Sequence, residues 1–238
     1  MKKAIVVGAT SGMGKELARL LAGNGYQVGV TGRRKALLVA LKLEQPDAFV
    51  NKTFDVTDTT LSILELNELV TELGGLDLLI ISSGTGELND NLDFEPEKRT
   101  IDTNVVGFTA IADWAFNYFR NQGYGHLAAI SSIAGIRGMR QAPSYGSTKA
   151  YQINYLQALR QKAGKLRLPI AITDIRPGFV DTDMAKGDGL FWVATVEKAA
   201  RQMFKALLHK KRVIYVTKRW AFIVWILRRI PNFLYNRM

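Results

Sequence analysis

The 238-residue chain contains no cysteine, which excludes disulfides, thiol nucleophiles and cysteine-ligated metals. Its two histidines, His126 and His209, have no other plausible metal ligand near them in the sequence. We therefore expect both to be structural or solvated, and we predict no metal site. Long apolar runs are also missing. The longest run, Trp220–Leu227, would extend only about 12 Å as a helix, well short of the ~30 Å core of a bilayer.

The N-terminus does not carry a predicted export signal. Two lysines precede an apolar run, but this run covers only residues 4–7 and ends at Gly8. The apolar core of a signal peptide needs roughly 7–15 residues. We therefore expect a cytoplasmic protein.

Acidic residues are absent from residues 201–238, which carry ten basic residues. These ten account for all but one of the formal net charge of +11, so the rest of the chain is nearly neutral. The apolar run 220–227 lies in the same segment, and Pro231 then opens a last short apolar segment. The basic residues are Arg201, Lys205, Lys210, Lys211, Arg212, Lys218, Arg219, Arg228, Arg229 and Arg237.

Short apolar runs alternate with helical patterns, and no linker or repeat interrupts them. This alternation predicts an α/β fold, a Rossmann-type doubly wound, mostly seven-stranded parallel sheet with helices on both faces. We assign residues 1–217 to this domain and residues 218–238 to a basic, apolar helical tail. Strands are predicted near residues 3–7, 28–31, 48–54, 77–81, 127–131, 169–175 and 212–216, and the strongest helices near 13–23, 57–73, 105–121 and 144–165.

Three glycines follow the first predicted strand and open the first predicted helix. Glycines at such a turn let the backbone come close to a phosphate, and the helix N-terminus favours an anion. Because dinucleotide folds place their cofactor at this first turn, we prefer a cofactor site to a plain glycine turn. The predicted contacts of the turn are Gly8, Thr10, Ser11, Gly12, Met13 and Gly14.

The second predicted strand, residues 28–31, ends in a glycine followed by Arg33 and Arg34. Folds that bind NAD tend to carry an acid here for the ribose 2′-hydroxyl. A guanidinium instead suits a 2′-phosphate, so Arg33 predicts NADP(H) in preference to NAD(H). We interpret Arg34 as the start of a solvated helix. Asp55, next to Val56, is placed to meet the adenine, or equally to cap the following helix.

Tyr145 and Lys149 lie four residues apart, about one helical turn. A helix from about Ser144 would put both on one face, with Ser132 upstream of them. The pKa of a phenol is near 10, and an adjacent ammonium lowers it. The pattern therefore predicts that Tyr145 exchanges a proton with a substrate oxygen held by the Ser132 hydroxyl.

In combination, these features resemble the short-chain dehydrogenases/reductases, in their compact single-domain subgroup, over about residues 3–217. The family's glycine motif, Thr-Gly-x-x-x-Gly-x-Gly, stands here with Val7 in place of the threonine. The other motifs occur in the family's order and spacing. The matching positions are Gly8, Gly12, Gly14, Asn104, Ser132, Tyr145, Lys149, Pro177, Gly178 and Thr182.

The resemblance implies a role for each active-site residue. Tyr145 would be the general acid in reduction and the base in oxidation. Lys149 would bind the nicotinamide ribose and tune Tyr145. Ser132 would orient the carbonyl, and Asn104 would hold a water in a proton relay.

One segment departs from the family pattern. After the fourth strand the family usually has Asn-Asn-Ala-Gly, whereas this chain has Ser82-Ser83-Gly84. The glycine implies backbone contact with the cofactor, but the asparagine that would support the central strands is missing. The cofactor contacts implied here and downstream are Ser83, Gly84, Pro177, Gly178, Val180 and Thr182, the last two at the nicotinamide carboxamide.

Residues 179–192 mix glycines and acids with apolar side chains, and the family places its substrate lid here. We predict a mobile lid rather than an ordinary surface loop. Nearby, Arg137 and Arg140 are expected to be solvated, with contact to an acidic substrate group as the alternative. Ile133, Ile136 and Met139 are expected to line the pocket.

The predicted activity is NADP(H)-dependent reduction of a ketone or aldehyde, or oxidation of a secondary alcohol, of apolar or lipid-like character. The resemblance also implies a homodimer or homotetramer through the helices near 105–121 and 144–165. The tail, residues 218–238, is expected to lie on the anionic surface of the inner face of a membrane. The alternatives are that it packs on a partner subunit or on the substrate mouth. No nucleic-acid motif is present. The alternatives in other classes are a catalytically silent NADP(H)-binding regulator and a membrane or partner adaptor.

Overall fold

The described part of the chain is built around one parallel sheet. The computed structural model describes residues 1–182 and 191–237, and in them seven strands lie in the order β3-β2-β1-β4-β5-β6-β7. The chain runs outward from β1 in both directions, which is the doubly wound arrangement predicted from the sequence. The strands are β1 (Lys2–Val7), β2 (Tyr26–Gly32), β3 (Phe49–Thr53), β4 (Leu78–Ile81), β5 (Gly125–Ile130), β6 (Ile170–Pro177) and β7 (Val213–Val216).

Helices cover both faces of the sheet. Successive residues of a strand point to opposite faces, so Ala4 and Val6 pack with α1, α2 and α7, whereas Ile5 and Val7 pack with α3, α5 and α6. The helices are α1 (Gly12–Gly23), α2 (Lys35–Glu44), α3 (Thr59–Leu73), α4 (Phe94–Ile101), α5 (Phe108–Gln122), α6 (Pro143–Lys165), α7 (Val196–Leu208), α8 (Trp220–Leu227) and α9 (Asn232–Tyr235).

The strongest predicted helices are present, with one difference in the middle of the chain. The helix predicted to begin near residue 105 begins at Phe108, and a π-helical segment, Asp102–Gly107, joins it to α4. A π segment widens the backbone locally and is frequent at functional sites. Asn104 lies within it.

The tail forms two short helices rather than one. Pro231 lies between them and precedes α9. Because a proline lacks the backbone N–H of a helical hydrogen bond, α8 does not continue through it. Trp220 and Val224 of α8 are buried, and α8 contacts β7 and the 3₁₀ turn Ile133–Ile136. None of the helices in residues 1–182 and 191–237 is long and apolar enough to cross a membrane.

His126 is buried on β5, as a structural histidine, whereas His209 is exposed. The Nε2 atom of His126 lies 2.8 Å from Thr173 Oγ1, and the Thr173 hydroxyl donates to the Lys211 carbonyl oxygen. The ring nitrogen is therefore the donor to Thr173. Burial lowers the pKa of His126 to about 4, and the charge of Lys210 acts in the same direction.

We expect His126 to make the fold less stable in acid. In the unfolded chain a histidine titrates near ~6.5, so below that pH the unfolded state binds a proton that the folded state resists. The contribution is complete above about pH 6.5 and is lost as the pH falls toward 4, roughly 3 kcal/mol in total. Urea unfolding measured across this range should show a smaller loss in His126→Gln than in wild type. His209→Gln is the control, and an undiminished loss in His126→Gln would contradict the assignment.

Candidate active site

Two cavities meet at the carboxyl ends of the central strands. One, of about 550 Å³, lies over the turn between β1 and α1 and reaches the end of β2, and we call it the nucleotide cavity. The other, of about 720 Å³, lies over β5 and β6, and we call it the substrate cavity. Their shared wall consists of Met13, Ser82, Gly84 and Thr182.

The glycine turn is shaped by close backbone contacts. Gly8 has φ +90°, and a Cβ added there would lie 2.5 Å from the Ser83 backbone nitrogen. A Cβ on Gly14 would lie 2.1 Å from the Gly8 carbonyl oxygen. The turn therefore sits directly against the β4 loop and against the first turn of α1, and Gly8, Thr10, Ser11, Gly12 and Met13 line the nucleotide cavity.

Both arginines at the end of β2 line the nucleotide cavity. Arg33 pairs with Asp55 across 3.3 Å, whereas Arg34 donates to Thr10 Oγ1 and to Ser11 Oγ, each at 2.6 Å. Arg34 is exposed at the start of α2, as predicted, and its guanidinium also folds back over the glycine turn. Sequence spacing gave no sign of this contact.

Asp55 holds the other side of this cavity, and it does not cap the following helix. Its Oδ1 accepts from the Thr57 backbone N–H at 3.0 Å and from the Thr57 hydroxyl at 2.9 Å. The cap of α3 is Asp58, which accepts from Leu61 N. Burial alone would raise the pKa of Asp55, but the hydrogen bonds from Thr57 and the charge of Arg33 outweigh it and hold that pKa below its usual value.

The loop after β4 is fixed by Asn104. Its Oδ1 accepts from the Thr85 N–H at 3.0 Å, and its Nδ2 donates to the Thr85 carbonyl at 2.7 Å and to Thr148 Oγ1 at 3.1 Å. The loop that lacks the family's asparagines is thus supported from the π-helical segment. Asn104 itself is fully buried and lies behind this loop.

Glycines in this loop allow the active-site side chains to approach it. A Cβ on Gly84 would be 3.3 Å from Lys149 Nζ, and one on Gly86 would be 2.3 Å from Tyr145 Cδ2. The Tyr145 ring therefore packs flat against the backbone of Gly86. Gly86 was not predicted as a site residue, and only the absence of a side chain at this position could have indicated it.

Tyr145, Lys149 and Ser132 come together at the wall of the substrate cavity. Pro143 occupies the first turn of α6, where its missing N–H costs nothing, and one turn of this helix brings Tyr145 and Lys149 to the same face. Lys149 Nζ lies 5.8 Å from the centre of the Tyr145 ring. It donates to the Ile130 carbonyl and to Gln152 Oε1, each at 3.0 Å.

Gln152 extends this arrangement and was not predicted from the sequence. Its Nε2 donates at 2.9 Å to the backbone carbonyl of Asn104, so that a continuous chain of hydrogen bonds runs from Lys149 through Gln152 to Asn104. Its position, one turn beyond Lys149 on α6, is the signal that could have found it.

The protonation of the two residues differs from the prediction. Burial raises the pKa of the Tyr145 phenol, and the hydrogen bond with Ser132 only partly lowers it. Burial also lowers the pKa of Lys149 to about 8, while the charge of Asp174 raises it. The expected lowering of the Tyr145 pKa by Lys149 was therefore wrong: burial sets the direction of the shift, and Lys149 Nζ lies 5.8 Å from the centre of the ring. The phenol stays protonated at neutral pH.

A buried ion pair lies next to Ser131, the residue before Ser132. Asp174 accepts a hydrogen bond from Arg176 Nε at 2.7 Å and one from the Ser131 hydroxyl, and Arg176 Nη2 forms an ion pair with the same carboxylate at 2.6 Å. Arg176 also donates to the Tyr215 hydroxyl at 3.1 Å. Since Ser131 directly follows β5 and the other groups lie on β6 or β7, the network ties together the strand ends that carry the site.

The walls of the substrate cavity are mostly apolar, and part of them comes from the tail. Ile133 and Met139 line it as expected, but Ile136 does not. The tail contributes Leu227 and Tyr235. Other apolar lining side chains are Met13, Leu88, Ile130, Ala134, Ala142, Phe179 and Val180.

Arg137 is not solvated as predicted, because it holds the tail. It donates to the Ile230 carbonyl at 3.3 Å and to Asn232 Oδ1 at 2.9 Å, and its guanidinium lies 4.4 Å from the centre of the Tyr235 ring. Arg140 is exposed, as predicted.

The two ends of the predicted lid are joined. Ala194 N–H donates to the Phe179 carbonyl at 3.0 Å, and Asp181 N–H donates to the Ala194 carbonyl at 2.9 Å. Trp220 packs between them, against Phe179 and Phe191 at ring distances of 5.3 and 5.1 Å. The rest of the predicted lid, residues 183–190, lies outside the described residues.

Most of the site residues predicted from the sequence line one of the two cavities. Gly14 and Asn104 do not, since both act on the backbone behind the cavity wall. The nucleotide cavity is lined by Gly8, Thr10, Ser11, Gly12, Met13, Arg33, Asp55, Val56, Ser83, Gly84 and Thr182. The substrate cavity is lined by Met13, Gly84, Ser132, Tyr145, Lys149, Pro177, Gly178, Val180 and Thr182.

Comparison with known proteins agrees with this arrangement. The chain matches the short chain dehydrogenase family model over residues 2–189. It is 34% identical over 189 residues to an uncharacterized oxidoreductase of Myxococcus xanthus, a match that spans 77% of this chain and 74% of that protein. An uncharacterized oxidoreductase of Mycobacterium tuberculosis is 31% identical over 192 residues, with 77% of this chain and 75% of that protein covered.

Two solved structures share the fold at lower identity. A 3-ketoacyl-ACP reductase from Sinorhizobium meliloti 1021 is similar with a TM-score of 0.78 and 22% identity, over 90% of this chain and 96% of that one. An alcohol dehydrogenase from the archaeon Thermococcus sibiricus, complexed with 5-hydroxy-NADP, is similar with a TM-score of 0.78 and 21% identity. The match covers 90% of this chain and 95% of that one. At these identities the likeness concerns the fold alone.

The chain therefore belongs to the short-chain dehydrogenase family, as its motifs predicted. It is an oxidoreductase that uses a nicotinamide dinucleotide, NAD(P)(H), and acts on a small-molecule substrate. The family match ends at residue 189, so α7, β7, α8 and α9 lie beyond the matched region.

Proposed function

We propose that the protein is an NADP(H)-dependent oxidoreductase that reduces apolar ketones or aldehydes, or oxidises the corresponding secondary alcohols. The observation that carries this proposal is the position of Tyr145, Ser132 and Lys149 at a wall of the substrate cavity, next to its junction with the nucleotide cavity. A bound nicotinamide would supply or accept a hydride at that junction. The protein then has to hold the carbonyl and move one proton.

Tyr145 moves this proton. Because burial raises the pKa of its phenol, the residue is protonated at neutral pH and can donate to the substrate oxygen during reduction. Ser132 holds the same oxygen through its hydroxyl. Oxidation requires the phenolate, so it is favoured at higher pH than reduction.

Lys149 and Asn104 support Tyr145 from behind. The ammonium faces the Gly84 backbone and is held by Ile130 and Gln152, where it is placed to bind the nicotinamide ribose. Asn104 keeps the Gly84–Gly86 backbone in place, which supports a positioning role. The water that it would hold in a proton relay stays a prediction.

An apolar substrate fits the larger cavity better than an acidic one. Ligand pockets are typically ~300–1,000 Å³, so about 720 Å³ accommodates a molecule of some size. Arg137, the arginine that lines this cavity, is already bound to Ile230, Asn232 and Tyr235. A substrate carboxylate would have to compete with these contacts.

The glycine cradle and the two arginines support NADP(H) as the cofactor. Gly8, Gly12 and the start of α1 would hold the pyrophosphate, since the open backbone and the helix N-terminus favour an anion. Arg33 and Arg34 would bind the 2′-phosphate, and Asp55 with Val56 the adenine. The homodimer or homotetramer through α5 and α6 stays a prediction.

We expect Arg33→Ala and Arg34→Ala each to weaken NADPH binding by about 10- to 100-fold, because a hydrogen bond between charged groups contributes roughly 1.5–3 kcal/mol. NADH lacks the 2′-phosphate, so its affinity should change by no more than about twofold in Arg33→Ala. In Arg34→Ala it should fall less than that of NADPH, since Arg34 also holds Thr10 and Ser11 of the glycine turn. Quenching of protein fluorescence measures both. The control is Arg120→Ala, on the exposed side of α5. Equal weakening of NADH and NADPH, or no binding of either nucleotide to wild type, would contradict the assignment.

A further inference from the structure

The tail has two different faces. On α8, Trp220, Val224 and Leu227 follow one another at helical spacing. Trp220 and Val224 are buried, and Leu227 lines the substrate cavity. This inner face is therefore used by the protein itself.

The opposite side of α8 carries exposed aromatic rings. Phe222 and Trp225 are 60% and 51% exposed, and their rings stack with centres 6.0 Å apart. The guanidinium of Arg229, one turn further, lies 4.0 Å from the centre of the Trp225 ring. Two large apolar rings thus face solvent with a cation beside them.

The second tail helix repeats this arrangement. Phe233 and Leu234 are 64% and 47% exposed. Tyr235 turns inward, where its hydroxyl donates to the Gly138 carbonyl at 2.7 Å and its ring lies under Arg137. We call Phe222, Trp225, Phe233 and Leu234 the outer tail face. Because the inner side is anchored at several points, this face cannot be buried by a simple rotation of the helices.

The charge around the outer tail face identifies its partner. The tail itself, residues 218–238, carries five basic residues (Lys218, Arg219, Arg228, Arg229 and Arg237) and no acid. A surface that combines exposed aromatic rings with clustered Lys and Arg matches the interface of an anionic bilayer. The rings enter the headgroup region, and the cations remain among the phosphates.

We propose that the outer tail face docks on the surface of an anionic lipid bilayer. The lipid phosphates pair with the basic side chains, including Arg228 and Arg229, and the four apolar side chains enter the interface. Leu227 and Tyr235, on the inner side of the same helices, line the substrate cavity. If the proposed function holds, docking therefore brings an apolar carbonyl compound in the membrane next to the cavity.

The test is cosedimentation of the full-length protein with vesicles, without cofactor or substrate. Vesicles of phosphatidylcholine alone are compared with vesicles of phosphatidylcholine and phosphatidylglycerol in equal amounts. Both kinds are tested at low and at high salt. The double variant Phe222→Ser/Trp225→Ser removes exposed apolar area without touching the inner face. Leu43→Ser/Leu64→Ser is the matched control, since these leucines of α2 and α3 are 72% and 55% exposed.

Wild type and the control are expected to bind the anionic vesicles, more weakly as salt is added. The outer-face variant should bind at least about tenfold more weakly. Equal binding to neutral and anionic vesicles, or undiminished binding by the outer-face variant, would overturn the proposal. A third outcome would also overturn it: wild type does not bind vesicles, and light scattering shows that it self-associates whereas the outer-face variant does not. The outer tail face would then contact a second copy of the chain. Failure of NADPH binding would leave this result unaffected, so the two proposals fail separately.

Discussion

Replacing Tyr145 with phenylalanine is expected to reduce kcat/KM for carbonyl reduction by about 10³-fold and to leave NADPH affinity nearly unchanged. The phenol is the proposed proton donor, and its pKa is raised by burial, so no other protonated group is as well placed at neutral pH. The phenyl ring would still pack against Gly86, and Lys149 would keep its bonds to Ile130 and Gln152. The variant therefore separates proton transfer from cofactor binding.

The matched control is Tyr151→Phe on the same helix. The Tyr151 hydroxyl lies 2.8 Å from Thr109 Oγ1 and does not line either cavity. Its loss should leave turnover within about threefold of wild type. If Tyr145→Phe retained more than a tenth of the wild-type rate, the proposed acid would be wrong.

Replacing Arg176 with methionine is expected to lower the free energy of unfolding by about 3–5 kcal/mol. The guanidinium makes a hydrogen bond and an ion pair to the fully buried Asp174, and no other cation in the described residues forms an ion pair with that carboxylate. Without Arg176 the carboxylate would stay buried and unpaired. The urea midpoint should fall, with little change in the slope of the transition.

Two further variants check the cause of this loss. Arg120→Met removes an exposed arginine from α5 and should change stability by less than about 0.5 kcal/mol. Adding Asp174→Asn to Arg176→Met removes the unpaired charge, and we expect it to recover part of the lost stability. A loss no larger than that of Arg120→Met would show that the ion pair does not stabilise the fold.

The sheet and the positions of the candidate active-site side chains could be predicted from the sequence. Strands of a parallel sheet are buried on both faces, so segments such as Leu78–Ile81 appear as short apolar runs between helical patterns. Active sites in these folds lie at the carboxyl ends of the strands. Local spacing then places Tyr145 and Lys149 on one helical face.

Contacts between distant segments could not be predicted. Arg34 looked like the start of a helix, and only the fold shows that it reaches Thr10, 24 residues earlier. The π-helical segment around Asn104 has no sequence pattern of its own. The pKa of Tyr145 depends on how much solvent the surrounding walls exclude, which a spacing of four residues does not reveal.

The tail shows the same limit. The run Trp220–Leu227 is apolar on all sides, so its sequence does not distinguish the residue that packs inward from the one that faces solvent. The sequence left open whether this tail packs on the substrate mouth or lies on lipid. In the fold, Trp220 is buried against Phe179, whereas Trp225 is exposed. The inner face packs at the substrate mouth, and the outer face remains for the proposed bilayer.

The most direct test of the proposed function is product formation from a panel of apolar ketones and aldehydes. Wild type and Tyr145→Phe are incubated with NADPH or NADH, and the corresponding alcohols are measured by mass spectrometry. We predict alcohol formation by wild type with NADPH, less with NADH, and almost none in Tyr145→Phe. Tight binding of NADPH without alcohol from any member of the panel would contradict the account, and it would favour a protein that binds the dinucleotide without turning over a carbonyl substrate.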